Sequence, residues 1–430
     1  MKIILLTPGT GSYHCGVCMR DNALAKELIR QGHDAMMLPM YLPLTLDESA
    51  ASPDAPVFFG GVSVYLEQKF AFLRAMPRWM DRVLSAKPLL QFVGRWSGMT
   101  ATAEVGALTH SMLLGEDGHQ AQELEALVTW LRKHGKADAI WLSTALLIGL
   151  AGRLKKALGV PVLASLQGED SFLDSLPEPW KSRCWETLAM RCADVDAIIA
   201  PSRYYADFMG TRLRIAEPQL RVIPNGIAPE DFEVRTELPD PPVIGYLARF
   251  IEGKGLPLVI DAFIELKRRG EFKSVRLRCA GTMTAGDERL VAQLREKLAR
   301  AGCAEDVEFL PNVSRQEKVA FLQKLTLLSV PASYGEAFGL YLLEAMAAAV
   351  PVVQPATAAF PEIVDATGAG TLCGPGSAKA LADGWEEMLR HPHVAQALGQ
   401  RGREAVEGEF SLARMAERFV DVTLQAKSGL

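Results

Sequence analysis

Short apolar runs recur along this chain with room for one helix between each pair, and the alternation stops once and then resumes. In the first stretch the runs are Ile3–Thr7, Ala35–Leu38, Val57–Tyr65, Ala139–Leu142, Pro161–Leu166 and Ala197–Ala200. In the second they are Val243–Leu247, Val275–Ala280, Val307–Leu310, Leu327–Val330, Val352–Gln354 and Thr371–Cys373. Most are apolar throughout, not on alternate residues, which suits parallel strands covered by helices on both faces. From Pro224-Asn225-Gly226 to Leu238-Pro239-Asp240-Pro241-Pro242 the pattern gives way to turn-forming and proline-rich sequence, the clearest boundary in the chain. The expectation is an α/β protein with two doubly wound domains in series, residues 1–236 and 237–410, facing a central cleft.

Composition bears on the class of partner. The 430 residues carry a formal net charge of −5, which leaves no basic footprint for nucleic acid. The apolar run at the amino terminus is too short for an export signal. The longest internal one, Ala139 to Gly152, is too short to span a bilayer. Seven scattered cysteines then point to a reduced, cytoplasmic setting.

The stretch Tyr334-Gly335-Glu336-Ala337-Phe338-Gly339-Leu340-Tyr341-Leu342-Leu343-Glu344 carries the most specific chemistry. It predicts a strand, a short loop and a helix opening near Phe338. The amides of Phe338, Gly339 and Leu340 and the positive end of the helix dipole make an anion site, and Gly339 lets a ligand approach the backbone. Glu336 and Glu344 would then stand about 12 Å apart along the axis. Two hydroxyl acceptors flanking an anion site suit a ligand with hydroxyl-rich groups on either side of a diphosphate, which describes a nucleotide sugar. The alternative is a solvated glutamate pair around an ordinary helix start. Arg249 and Lys254, following the first strand of the second domain, suit a diphosphate clamp: the arginine has fixed bidentate geometry and the lysine is a mobile charge.

The loop after the first strand reads Pro8-Gly9-Thr10-Gly11-Ser12-Tyr13-His14-Cys15-Gly16-Val17-Cys18. It matches neither the dinucleotide fingerprint, since His14 takes the third glycine position, nor a P-loop, since Val17-Cys18 stand where Lys and Ser or Thr are required. Gly9, Gly11, Ser12, Tyr13 and His14 remain candidates for contact with an acceptor or a phosphate. Cys15 and Cys18 read as structural residues, as a redox pair, or with His14 as part of a metal site. Asp194-Val195-Asp196 has the form of a metal-holding pair but fits better as a helix-to-strand turn. Gln167-Gly168-Glu169-Asp170 emerges from the strand Pro161–Leu166 at the carboxyl edge of the first sheet. Its two carboxylates either meet the substrates or cap the next helix.

Together these segments resemble the family 4 glycosyltransferases, a retaining group with the GT-B fold of two Rossmann-like domains. The residues that carry the resemblance are the glycine loop after the first strand, Pro224-Asn225-Gly226-Ile227, Arg249 with Lys254, Glu336 through Met346-Ala347, Pro351-Val352-Val353 and Pro361-Glu362-Ile363-Val364. The resemblance implies a transferase, metal-independent and without a cofactor, moving a sugar from a nucleoside diphosphate donor to a glycan, lipid or small-molecule acceptor held mainly by the first domain. Arg249 and Lys254 would bind the diphosphate, Glu336 the sugar and Glu344 the ribose. The last helix, residues 411–430 with Ser411 as N-cap, would return to the first domain. Three places depart from the family pattern. A histidine often found near the donor sugar is absent from Ser165–Asp170, and two usual glycine positions read Ala349 and Ala358-Ala359. An epimerase of similar architecture or an inactive nucleotide-sugar binder is the competing reading. Finally, Arg74, Arg78 and Arg82 recur at helical spacing within residues 69–96. That pattern suits peripheral contact with the inner face of a membrane, or an insertion packed on the first domain.

Overall fold

The computed structural model describes residues 1–9, 16–46, 48–59, 102–134 and 136–429. The candidates Gly11, Ser12, Tyr13, His14 and Cys15 and the basic segment 69–96 lie outside the described residues. The chain divides into two compact units, Met1–Pro224 with Met415–Leu430, and Asn225–Arg414.

The first unit holds six strands: β1 Lys2–Thr7, β2 Asp34–Pro39, β3 Ala139–Leu142, β4 Val162–Ser165, β5 Ala197–Ala200 and β6 Leu220–Val222. They pair in parallel in the order β2-β1-β3-β4-β5-β6. All four residues of β3, β4 and β5 are buried, as strands covered on both faces require. From the run Val57–Tyr65 only residues 57–59 are described, and Phe58 makes an isolated bridge to Met40. The strand β6 was not among the expected runs. It is three residues long, has Arg221 at its centre and lies at the sheet edge, so it shows no apolar run. On β3, Trp141 stacks on Phe419 of the last helix at 4.1 Å, and its ring N–H donates to Thr423. That helix, Leu412–Ser428, has Ser411 at its start, where Oγ accepts the Arg414 amide at 3.2 Å.

The second unit repeats the pattern with β7 Val243–Leu247, β8 Arg276–Gly281, β9 Val307–Pro311, β10 Leu327–Leu328, β11 Val352–Pro355 and β12 Gly370–Cys373. The order is β12-β11-β10-β7-β8-β9, again parallel. In both sheets the order reverses once, between β1 and β3 in the first and between β7 and β10 in the second. At such a reversal the loops leaving two neighbouring strands turn to opposite sides and open a crevice at the carboxyl edge. The residues after β7 include Arg249 and Lys254, and those after β10 include Glu336. The fold therefore brings the loop that carries Lys254 beside the loop that carries Glu336.

Among the described residues no helix is long and apolar enough to cross a membrane.

Candidate active site

The loop after β7 is held by its own residues before it meets anything else. The Tyr246 hydroxyl donates to the Arg249 carbonyl at 2.9 Å, and a short 3-10 turn, Glu252–Lys254, ends at Gly255. Gly255 has φ +77°, and a Cβ there would lie 2.0 Å from the Pro331 carbonyl oxygen. Only glycine lets the β7 loop pass this close to the loop after β10. The Ser333 amide adds a hydrogen bond to the Gly253 carbonyl at 2.9 Å. The two loops are thereby locked backbone to backbone, and their side chains converge.

Lys254 Nζ lies 2.5 Å from Oε2 of Glu336, with side chains 19% and 12% exposed. The ammonium is also 5.0 Å from the ring centre of Tyr334 and 5.4 Å from that of Tyr341, both within cation–π range. Burial acts to lower the Lys254 pKa, but the charge of Glu336, Tyr334 and the hydrogen bond to Glu336 outweigh it and raise it above its ordinary value. Lys254 therefore keeps its charge at neutral pH.

The helix after β10 begins at Leu340, not near Phe338, because Gly339 takes the left-handed conformation (φ +91°) as its N-cap. The side chains of Ala337 and Phe338 are buried, and Phe338 packs against Phe410. Any contact these two make with a ligand is therefore through the backbone. The space left by the missing Gly339 side chain is taken by protein: a Cβ there would sit 3.2 Å from Cζ of Tyr341 and 3.4 Å from Phe360. Leu340 is half-buried at the first helical position, and the helix presents its free amides at this end.

Arg249 stands apart from that pair. It is half-exposed and reaches Asp287 at 3.3 Å, where the carboxylate also accepts from the amide and hydroxyl of Thr284. Burial acts to raise the Asp287 pKa, but the Thr284 hydrogen bonds and the Arg249 charge prevail and hold it below its ordinary value. Glu344 is paired with a residue that sequence reasoning missed, Lys318, at 2.7 Å, with exposures of 18% and 14%. Lys318 belongs to the helix Arg315–Gln323 that follows β9. Only the sheet order brings it to Glu344, so no local pattern could have revealed it. The two glutamates thus each have a lysine of their own, and with Arg249 on Asp287 three cations face three carboxylates.

In the first unit the carboxyl edge is organised around Glu169, which is turned inward. Its Oε1 accepts from the Thr144 hydroxyl at 2.7 Å and the Ala145 amide at 3.0 Å, and its Oε2 from the Gln167 amide at 2.7 Å. It ties the loop after β4 to the loop after β3. It does not cap the helix that follows, Glu169–Ser175, whose N-cap Gly168 receives no side-chain bond, so the expected capping role is not the one it takes. Asp170 is half-buried and accepts from the Tyr205 hydroxyl at 2.7 Å. Gly168 has φ +99°, with nothing within 4 Å of where its side chain would begin. Gly9 sits with φ +73° against the Leu42 carbonyl, where a Cβ would lie 1.8 Å away, and so serves loop packing. Cys18 is buried 3.5 Å from the Thr7 hydroxyl. Asp196 accepts the Val162 amide and pairs with Lys155, while Asp194 pairs with Arg191; these are bonds of a helix-to-strand turn.

The departures at Ala349 and Ala358 leave a mark on the backbone. Both alanines have positive φ, +57° and +53°. At Ala349 the amide bonds to Met346 and the next amide, Val350, to Ala345, the paired closure that ends a helix on a left-handed residue. The turn usually built on glycine is kept, with alanine forced into it. Arg235, buried so that its pKa falls to about 10, donates to the Ala349 carbonyl at 3.1 Å and braces this turn.

Two family models match this chain: "Glycosyltransferase Family 4" over residues 106–231 and "Glycosyl transferases group 1" over residues 228–405. A phosphatidyl-myo-inositol mannosyltransferase of Mycobacterium leprae is 32% identical over 43% of this chain and 48% of its own length. A lipopolysaccharide core biosynthesis mannosyltransferase of Rhizobium leguminosarum is 29% identical over 52% of this chain and 62% of its own length. The chain thus spans less than two thirds of these relatives. A GDP-mannose-dependent phosphatidylinositol monomannoside mannosyltransferase of Mycolicibacterium smegmatis is 25% identical over 81% of this chain and 91% of its length. Among solved structures, a sucrose-phosphate synthase from Thermosynechococcus elongatus superposes with a TM-score of 0.73 at 18% identity, each chain covered fully. Anabaena HepE, solved with UDP and glucose, follows with 0.68 at 15% identity over 99% of this chain and 100% of its own. With two Rossmann-like parallel sheets, and with the two models together matching residues 106–405, the chain belongs to the GT-B glycosyltransferases that these models describe.

Proposed function

We propose that this protein is a retaining glycosyltransferase that moves a sugar from a nucleoside diphosphate sugar to a glycan, lipid or small-molecule acceptor. The donor belongs to the second unit and the acceptor mainly to the first. The observation that carries the reading is the meeting of Lys254 and Glu336 at the strand-order reversal, beside a helix start. A cation for phosphate and a carboxylate for sugar hydroxyls stand within one hydrogen bond of each other. Glu344, held by Lys318, accepts the ribose hydroxyls, and Arg249 closes on the diphosphate from the β8 side.

In the proposed reaction the bond from the anomeric carbon to the diphosphate breaks, and the leaving phosphate oxygen takes the proton of the incoming acceptor hydroxyl on the same face. Negative charge grows on the phosphate as the bond lengthens. Lys254 and Arg249, turning from Glu336 and Asp287 to the phosphate, and the amides of 338–340 stabilise that charge. These groups stand in for a divalent metal, and no cofactor is required. Asp170, beside the Gly168 turn, faces the acceptor. The names of the relatives favour hexose donors and lipid or glycan acceptors. Peripheral membrane contact through 69–96 fits a lipid acceptor.

A thermal-shift screen of UDP-, GDP- and ADP-hexoses on the purified protein tests the reading. One base should stabilise it in a concentration-dependent way, since a ligand that binds only the folded state at 100 times its Kd adds about 2.7 kcal/mol. No shift with any of them would refute it.

A further inference from the structure

Tyr341 is the second residue of the helix after β10, and no charge pattern draws attention to it. Its hydroxyl donates to Oε2 of Glu336 at 2.9 Å, the same oxygen that Lys254 reaches. Among the described residues both donors to the Glu336 side chain meet this one oxygen, and Oε1 accepts from neither. The carboxylate is therefore held at one end and open at the other.

The ring is set for this task from three sides. It folds back over Gly339, where a Cβ would crowd the ring at 3.2 Å. Its face lies 5.4 Å from the Lys254 ammonium, and it is 8% exposed. Burial, then the Glu336 charge, hold the Tyr341 pKa well above its ordinary value, so the hydroxyl keeps its proton and remains a donor at any working pH. Lys254 is different, because a bound diphosphate competes with Glu336 for its charge. When the lysine turns to phosphate, the tyrosine bond stays.

We infer that Tyr341 is a positioning residue, whose hydroxyl keeps Glu336 aimed at the donor sugar while Lys254 engages the diphosphate. The inference rests on the donor-site reading given above. It adds a residue that acts on the sugar end and not on the nucleotide end.

The test is Tyr341→Phe, which keeps the ring over Gly339 and Lys254 and removes only the hydroxyl, alone and combined with Glu336→Gln. The probes are UDP and GDP and their hexose conjugates. In Tyr341→Phe, affinity for the free nucleoside diphosphate should stay within about twofold of wild type. Its kcat/KM for the sugar conjugate should fall at least fivefold, and the fall should vanish in the Glu336→Gln background. Wild-type kcat/KM in Tyr341→Phe would overturn the inference, as would an equal loss for diphosphate and conjugate, which would mark a merely structural role. Urea unfolding of the same four proteins without ligand reads the hydrogen bond itself, and zero coupling there would also overturn it. If wild type binds no nucleoside diphosphate while the unliganded coupling is present, the donor-site reading falls and takes this role with it.

Discussion

Lys254 and Glu336 stand 82 positions apart in the chain and 2.5 Å apart in the fold. They meet because β7 and β10 are neighbours at the reversal of strand order and because Gly255 lets their loops touch. The pair has consequences for stability as well as for binding. Removing the lysine leaves a largely buried carboxylate with one donor, Tyr341, so Lys254→Ala should cost about 1–3 kcal/mol in urea unfolding. It should also weaken nucleoside diphosphate binding about tenfold, since a charged hydrogen bond contributes roughly 1.5–3 kcal/mol. Adding Glu336→Gln should recover much of the stability and none of the binding. A double variant that binds as wild type would remove Lys254 from the donor site.

The pH dependence of that pair follows from its sign. The folded-state pKa of Lys254 is raised. Its contribution is therefore fully present below the unfolded value near ~10.4 and is lost as pH rises through the folded value. Between pH 6 and 9 the stability difference between wild type and Lys254→Ala should be flat, and it should shrink only in more alkaline solution. A difference that collapses near neutrality would contradict the charge pairing.

Arg249 should behave differently. It is half-exposed and its partner Asp287 keeps two bonds from Thr284, so Arg249→Ala should change stability by less than about 1 kcal/mol. Calorimetry should nevertheless show about tenfold weaker nucleoside diphosphate binding. Unchanged affinity would confine Arg249 to its ion pair.

The two acidic neighbours after β4 should separate cleanly. Glu169→Gln turns one acceptor oxygen into a donor among groups that already donate, and should lower stability by about 1–3 kcal/mol. Asp170→Asn retains an acceptor for Tyr205, so its melting temperature should stay near wild type. Under the proposed role its turnover should fall tenfold or more, about 1.4 kcal/mol in the barrier, with donor affinity unaltered. Wild-type kinetics would end the candidacy of Asp170.

Ala358 and Ala349 offer a test on the backbone alone. An alanine in the left-handed region costs roughly 1–2 kcal/mol relative to its usual conformations. Glycine escapes that cost but adds freedom to the unfolded chain, so Ala358→Gly, half-buried, should stabilise by about 0.5–1 kcal/mol. Ala349→Gly also removes a buried methyl worth about 0.8 kcal/mol and should come out near neutral. Urea midpoints of the two variants in the reverse order would refute the argument.

Much of this molecule was legible because its strands are buried on both faces and so appear as unbroken apolar runs. The exceptions have physical reasons: β6 is a three-residue edge strand around Arg221, and the helix start moved two residues because a left-handed Gly339 precedes it. The residue types of the proposed donor site were readable, since Arg249, Lys254 and Glu336 lie in loops that follow strands and Glu344 on the helix after β10. Their partners were not. Lys318 and Tyr341 look like ordinary helix residues, and only the sheet order and the space over Gly339 show what they hold. Glu169 and Asp170 are adjacent and look alike in sequence, yet one is buried among donors from the loops after β3 and β4 and the other is half-buried against the Tyr205 hydroxyl.

The central claim is tested most directly by release of nucleoside diphosphate from UDP-, GDP- and ADP-hexoses, with and without candidate acceptors, in excess EDTA. Wild type should release the diphosphate from one of these donors at the same rate with or without the chelator. Lys254→Ala and Glu336→Gln should each release it at least tenfold more slowly. No release from any donor, loss of release in EDTA that manganese or magnesium restores, or variants as fast as wild type would contradict it.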